Sequence, residues 1–182
     1  LAENMTGGKA MKSGDVLRMR SGKTVEILNT DAEGRIVLAD LLDLSRAAKP
    51  DVTLVLATLT GACVVALGEE TAGIFTKNDS LAEALAAAGH RSGQPFWRLP
   101  MGRDYLDAIK GSVSDLKNVG PRWGGASIAA EFLAVFAGDG TWAHLDIAGP
   151  AFRESGGSGR PAGATAFGIA AVVEWLSELS RA

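Results

Sequence analysis

Two carboxylates and a guanidinium lie within five positions of one another, at Asp31, Glu33 and Arg35. On an extended backbone, residues two apart point to the same side, so Asp31 and Glu33 converge if this segment is extended. Converging carboxylates need either a proton or a cation between them, and a hard divalent metal is the natural cation. Arg35 opens a helix-like run, where a cation opposes the helix dipole, which indicates that it holds an anion or an oxyanion. The segment therefore predicts a metal site beside an anion-binding arginine.

The same residues also fit a simpler structural role. Thr30 or Asp31 can cap the helix that follows, with Glu33 in its first turn. Short acidic motifs often occur without a metal. The spacing alone leaves both interpretations open.

The elements around this segment indicate an α/β fold. Strand-like runs at 16–19 and 24–28 flank turn residues and predict a hairpin, and apolar residues recur at helical spacing over 36–48. The β-branched, almost continuously apolar run at 52–60 predicts a central strand of a covered sheet. Alternation of helix and strand is typical of α/β domains. We expect three layers, with a central mixed and mostly parallel sheet covered by helices.

The rest of the chain continues this alternation. We predict a strand at 73–76, a helix at 80–88 closed by Gly89, a loop at 93–101, a helical turn at 104–109, a polar stretch at 111–120, a helix at 126–137, a strand at 141–147, a loop at 152–163 and a helix at 164–180. In the strand at 141–147, His144 and Asp146 share one face and could ligate a metal. A structural hydrogen bond is the simpler expectation for them.

Composition and charge exclude several classes of protein. The chain has 182 residues, of which 47% are hydrophobic, enough for one domain with a core. The net charge is −3 and no run is rich in Lys or Arg, so we expect neither nucleic acid nor an anionic membrane as partner. No apolar stretch approaches the roughly 20 residues that span a bilayer. The single Cys63 is compatible with a cytoplasmic location.

The segment Asn29-Thr30-Asp31-Ala32-Glu33-Gly34-Arg35 resembles the signature of the leucyl (cytosol) aminopeptidases, which are two-metal exopeptidases. Three further blocks resemble that family in the same order: Glu3-Asn4-Met5 with Gly8-Lys9-Ala10 and Ser13-Gly14-Asp15-Val16, then Ala57-Thr58-Leu59-Thr60-Gly61-Ala62 with Ala66-Leu67-Gly68, and Trp142-Ala143-His144-Leu145-Asp146-Ile147-Ala148-Gly149. The resemblance implies that residues 1–182 are the C-terminal part of the catalytic domain, without the N-terminal domain and the first part of the catalytic domain.

The resemblance also implies roles for individual residues. Asp31 would bind the more exchangeable of two metals, Glu33 would bridge both, and Arg35 would hold the oxyanion, with a bicarbonate bound there as base. The metals would be manganese or zinc, with magnesium as a further candidate, and would polarise the scissile carbonyl and anchor the substrate amine. Substrate contacts are implied for the backbone carbonyl of Leu59 and the backbone amide of Gly61. The lining of the first-residue pocket is implied for Asn29, Thr58, Val119 and Ala148. Ordinary core packing is the alternative for the apolar residues in this set.

The resemblance further implies an incomplete site. The family uses another metal-binding lysine, two more aspartates and a catalytic lysine, and residues 1–28 match none of these motifs. Two carboxylates form only part of a metal shell, so we expect this chain alone to bind metal weakly and to be inactive. For the full-length protein, the resemblance implies peptide substrates and a homo-hexamer.

Two other functions stay open. A non-catalytic scaffold, or a DNA-binding regulator such as some family members, would keep the fold without the activity. The acidic composition argues against DNA, and the retained Asp31, Glu33 and Arg35 argue against a scaffold. A glycosidase needs two carboxylates about 5 Å or more apart on facing elements, which two residues on one strand face do not provide. The expected function is release of N-terminal, leucine-type residues from peptides.

Overall fold

Helices and strands alternate along the chain in a computed structural model that describes residues 7–157 and 159–181. The helices are α1 Gly34–Ala47, α2 Gly61–Leu67, α3 Asp79–Arg91, α4 Arg103–Asp107, α5 Gly125–Ala137 and α6 Ile169–Leu179. The strands are β1 Val16–Arg18, β2 Thr24–Glu26, β3 Thr53–Ala57, β4 Ala72–Phe75, β5 Phe96–Arg98, β6 Leu116–Lys117, β7 Trp142–Asp146, β8 Phe152–Arg153 and β9 Gly163–Ala164. The predicted α/β class is confirmed. The block Glu3-Asn4-Met5 lies outside the described residues.

The main sheet has four strands in the order β3-β7-β4-β5. β3 runs parallel to β7 and β5 runs parallel to β4, whereas β4 and β7 are antiparallel, so the sheet is mixed as predicted. The prediction that the run at 52–60 forms a central strand was wrong, because β3 lies at the edge and pairs only with β7 in the described part of the chain. Its apolar character comes from the two faces it presents to the cores.

Helices cover both faces of this sheet, which gives the predicted three layers. On one face α1 packs against α5, and Leu42, Val55 and Phe132 belong to one core. On the other face α3 packs against α6, and Leu85 and Leu145 belong to a second core. Along β7, side chains alternate between these two cores, because successive strand residues point to opposite faces. His144 and Asp146 therefore lie on the same side of the sheet as Trp142, the α1–α5 side.

A second, smaller sheet holds the strands before the signature segment. β1 and β2 form the predicted antiparallel hairpin, and β6 adds to β2 in parallel. Gly22 makes the turn with φ +87°, a conformation that side-chain-bearing residues rarely adopt. The stretch at 111–120 was predicted only to be polar, and its strand β6 places the residues that follow Lys117 beside the end of β2.

Four local predictions were wrong. The stretch at 93–101 is not all loop, because β5 pairs with β4 there. Gly89 does not close α3, which continues to Arg91; a Cβ at Gly89 would overlap Phe96, so the glycine permits close packing. The segment at 152–163 contributes the paired strands β8 and β9, and the last helix begins at Ile169 rather than at residue 164.

Candidate functional site

The signature segment is helical earlier than its sequence suggests. Thr30–Ala32 forms a 3-10 turn that leads directly into α1, and Glu33 has helical angles of φ −72° and ψ −35°. The Asn29 side chain caps this turn by accepting a hydrogen bond from the Asp31 amide at 2.9 Å. The prediction that Asp31 and Glu33 share an extended face was therefore wrong. The predicted cap was also wrong in detail, because Asn29 supplies it and Glu33 makes no side-chain capping bond.

The carboxylate oxygens of Asp31 and Glu33 are available as ligand donors. Asp31 is exposed and Glu33 is half-buried, and neither side chain takes part in a hydrogen bond or an ion pair with the described residues. Carboxylate oxygens are the donors that hard divalent metals prefer. Residues 7–157 and 159–181 contain no group of three or more His, Cys, Asp or Glu that could hold a metal. The donors therefore fit a divalent metal in type but supply only part of its shell.

Arg35 is a buried cation with an unused donor. It is 8% exposed, and its Nη1 donates to the carbonyl oxygen of Asn118 at 2.9 Å. Its Nε is buried without a hydrogen-bond partner among the described residues. Burial lowers the pKa of the Arg35 guanidinium to about 10, and the negative charge of Asp146 opposes that shift. The group stays charged at neutral pH, so the site combines a desolvated positive charge with a free N–H.

Asn118 fastens the signature segment in place, and sequence reasoning missed it. Its side chain is fully buried; Oδ1 accepts the amides of Leu28 and Asn29 at 2.8 and 3.3 Å, and Nδ2 donates to the Asn29 carbonyl at 2.6 Å. The backbone carbonyl of Asn118 also accepts the hydrogen bond from Arg35, so Asn118 contacts both ends of the signature segment, Asn29 and Arg35. The only signal in the sequence was its position next to Val119.

Asp146 joins two loops that carry predicted substrate-binding residues. Its Oδ1 accepts the amides of Leu59 and Thr60 in the β3–α2 loop (residues 58–60) at 3.2 and 3.4 Å. Its Oδ2 accepts the Thr60 hydroxyl at 2.7 Å. Oδ1 also accepts the amide of Ala148, in the segment after β7 (residues 147–149), at 3.2 Å. The structure therefore brings Leu59 and Ala148 together through one buried carboxylate.

The remaining predicted residues lie around this junction. Gly61 is the first residue of α2, and a Cβ on it would meet nothing within 4 Å, so the space beside its Cα is open. Leu59 lies against the signature segment, since its Cδ1 would be 3.5 Å from a Cβ at Gly34. Thr58 and Asn29 are exposed, whereas Val119 and Ala148 are half-buried. A cavity of about 810 Å³ opens beside Ala148.

His144 has a structural role, as the simpler expectation had it. Its Nδ1 lies 3.2 Å from the carbonyl oxygen of Val55 and donates to it, and Phe75 stacks on the ring at a centroid distance of 5.8 Å. Nε2 lies 4.0 Å from Oδ2 of Asp146. Complete burial lowers the pKa of His144 against the opposing charge of Asp146, so the ring is neutral.

The chain matches a known protein family over most of its length. The model of the cytosol aminopeptidase family, catalytic domain, matches residues 1–173. The chain belongs to the cytosol aminopeptidase family. It is 52% identical over 181 residues to a probable cytosol aminopeptidase of Rhodopirellula baltica, covering 99% of this chain and 36% of the relative. A second relative, from Synechococcus sp. strain CC9605, is 50% identical over 175 residues, covering 96% and 36%.

Two solved structures of similar proteins have the same fold. A mutant of tomato leucine aminopeptidase superposes with a TM-score of 0.91 at 42% identity, covering 97% of this chain and 34% of that one. The bottromycin maturation enzyme BotP in complex with Mn superposes with a TM-score of 0.92 at 43% identity, covering 99% and 41%. The chain thus spans little more than a third of the length of the relatives it matches. None of the helices described is long and apolar enough to cross a membrane.

Proposed function

We propose that this chain is the C-terminal part of the catalytic domain of an aminopeptidase that releases N-terminal residues, leucine-type among them, from peptides with two divalent metal ions. The observation that carries the proposal is the position of Arg35. A buried guanidinium with an unpartnered Nε lies two and four positions along the chain from two carboxylates that have no hydrogen-bond or ion-pair partner among the described residues. Family membership and this charge arrangement support the same chemistry.

Asp31 and Glu33 would hold the metals, with Glu33 as the bridge between them. When bound, divalent ions polarise the scissile carbonyl and lower the pKa of water, which generates a nucleophile at neutral pH. Manganese is supported by the similar protein BotP, whose structure is a complex with Mn. Zinc and magnesium are the other candidates, because carboxylate oxygens can bind all three ions. Arg35 would hold the developing oxyanion, or a bicarbonate that serves as base, through its desolvated N–H groups.

The two loops joined by Asp146 would bind the substrate. The hydrogen bonds of the described residues leave the Leu59 carbonyl and the Gly61 amide unused, so both are available to the substrate's amine and carbonyl. Asn29, Thr58, Val119 and Ala148 would line the pocket for the first side chain. These are contacts that an exopeptidase needs, because it must recognise a free amine and one side chain.

The site would be completed by further polypeptide, which relatives almost three times as long contain. Two apolar stripes support this part of the proposal. On each of α1 and α6, large apolar residues that are at least half exposed recur at helical spacing. They are Val37, Leu41 and Leu44 on α1 and Ile169, Val173 and Leu176 on α6. The ends of both helices reach β3, whose outer edge is unpaired among the described residues: Ser45 of α1 hydrogen-bonds Thr53 at 3.0 Å, and a Cβ at Gly168, just before α6, would lie 2.6 Å from Leu56. An apolar surface beside an open strand edge is typical of a buried interface. Homo-hexamer assembly and a cytoplasmic location belong to the same proposal and rest on the family resemblance.

The test uses a hybrid enzyme in which this chain replaces the matching part of the Rhodopirellula baltica relative. We expect the hybrid to hydrolyse leucine anilide with added manganese or zinc and to stop when a chelator is added, and we expect the 182-residue chain alone to be inactive. Glu33→Gln should lower kcat/KM of the hybrid by at least about a hundredfold, because it removes a charged metal donor. Glu83→Gln, an exposed carboxylate on α3, is the matched control.

Each part of the proposal can fail separately. Chelator-sensitive turnover by the chain alone would refute the incomplete site. A folded, metal-loaded hybrid without turnover would refute the aminopeptidase and favour the non-catalytic scaffold. A salt-sensitive gel shift with DNA would then identify a regulator.

A further inference from the structure

Asp146 is a buried carboxylate whose bonds reach far along the chain. It is fully buried at the end of β7, and its two oxygens accept four hydrogen bonds from three residues, Leu59, Thr60 and Ala148. Leu59 lies 87 positions away in the sequence. A buried charge is costly unless several donors compensate it. The donors here come from two separate loops, so the carboxylate ties both loops to one point.

Thr60 links the Asp146 carboxylate to the start of α2. Its hydroxyl donates to Oδ2 of Asp146 at 2.7 Å and accepts the amide of Cys63 at 3.1 Å, which caps the helix. Gly61 is the first residue of that helix, so the direction of its amide depends on how Thr60 is held. Leu59, on the other side of Thr60, is held by its own amide on the same carboxylate.

We propose that Asp146 is a positioning residue for substrate binding, which fixes the β3–α2 loop and the segment after β7 relative to each other. It aligns the Leu59 carbonyl and the Gly61 amide with the Ala148 side of the first-residue pocket. Asp146 does not touch the substrate; it acts through the backbone groups that do. The inference rests on the proposed function, because that proposal assigns those groups to the substrate.

The charge of Arg35 adds to this arrangement. The guanidinium and the Asp146 carboxylate attract each other within the buried layer between α1 and the sheet. The Arg35 guanidinium is therefore a second group, besides the substrate loops, that the charge of Asp146 affects. Asp146→Asn would weaken the loop hydrogen bonds, because its amide oxygen is a neutral acceptor, and would remove this attraction.

The kinetic test uses the hybrid enzyme with Asp146→Asn and Thr60→Val. We expect each variant to raise KM for leucine anilide about tenfold and to change kcat by less than about threefold, because the loops hold the substrate rather than the metals. Thr60→Ser keeps the hydroxyl and should restore KM to within about twofold of the unmodified hybrid. Thr53→Val removes a hydroxyl at the opposite end of β3 and is the matched control. A folded Thr60→Val hybrid with unchanged KM would overturn the proposal, as would a Thr60→Ser hybrid that behaves like Thr60→Val.

A second measurement does not depend on activity. In the 182-residue chain, Asp146→Asn should increase hydrogen exchange at the amides of Leu59, Thr60 and Ala148 by at least about tenfold, because a neutral acceptor binds them more weakly. The amide of Ile147, which donates to the carbonyl of Ala57 instead, should exchange at its original rate. Unchanged exchange at all three amides would overturn the proposal. An unmodified hybrid without activity would refute the proposed function, and the exchange rates would still decide whether Asp146 holds both loops.

Discussion

The ion pair between Lys77 and Glu131 allows a sharp test of how burial controls stability in this chain. The Glu131 side chain is 1% exposed within α5, and its Oε2 lies 3.0 Å from Nζ of Lys77, whose side chain is 62% exposed. The other oxygen, Oε1, has no partner among the described residues. Lys77→Met therefore leaves a buried carboxylate without its cation, whereas the double variant Lys77→Met/Glu131→Leu removes the charge as well.

The geometry sets the expected magnitude. At 3.0 Å the attraction between unit charges is about 5.5 kcal/mol with an effective dielectric constant of about 20, and about 1.4 kcal/mol in water. Because the lysine is exposed and the carboxylate is not, we expect Lys77→Met to lower the free energy of unfolding by about 2–3 kcal/mol. We expect the double variant to lie within about 1 kcal/mol of the unmodified chain, since it leaves no unpaired charge in the buried position.

The assay is urea unfolding of the four proteins of the double-mutant cycle, at neutral pH and moderate salt. Lys110→Met is the matched control: Lys110 pairs with Asp107 at 2.8 Å, but both side chains are exposed, so this change should cost about 0.5 kcal/mol or less. If Lys77→Met costs no more than Lys110→Met, the exposed lysine does not stabilise the buried Glu131 side chain and the prediction is refuted. If the double variant is as unstable as Lys77→Met, the loss comes from packing rather than from charge.

Two further predictions concern packing and pH. Gly89→Ala should destabilise the chain by about 1–3 kcal/mol in urea unfolding, although Ala favours a helix by about 1 kcal/mol, because the added methyl overlaps Phe96; increased stability would contradict this packing. Burial lowers the pKa of His144 below 6.5, so the folded state binds fewer protons than the unfolded state there, and stability should fall as the pH drops below about 6.5. The variant His144→Gln lacks the group that takes up a proton on unfolding, so its free energy of unfolding should depend less steeply on pH between about 7 and 5. Equal slopes for the two proteins would exclude a neutral buried His144.

The sequence alone determined which charged and ligating groups the chain carries and most of its elements. The side chains of Asp31, Glu33 and Arg35 carry their charges wherever they lie, so oxygen donors for a metal and a cation for an anion could be predicted from residue types. The hairpin of β1 and β2 and the helices α1 and α5 followed from turn residues and from apolar periodicity. These signals are local, because a turn or an amphipathic helix depends on neighbours within a few positions.

The tertiary structure alone decided how the site is held together. Asn29 caps a 3-10 turn, so the helical conformation begins early. Asp31 and Glu33 therefore do not have the extended geometry that their spacing suggested. Asn118 and Asp146 hold the segments that carry the predicted residues, through hydrogen bonds that span more than 80 positions. A lone buried Asn or Asp has no local pattern that names its distant partners. For the same reason the sequence could not place β3 at an edge: strand order depends on pairing between distant segments, and an apolar run looks the same in either place.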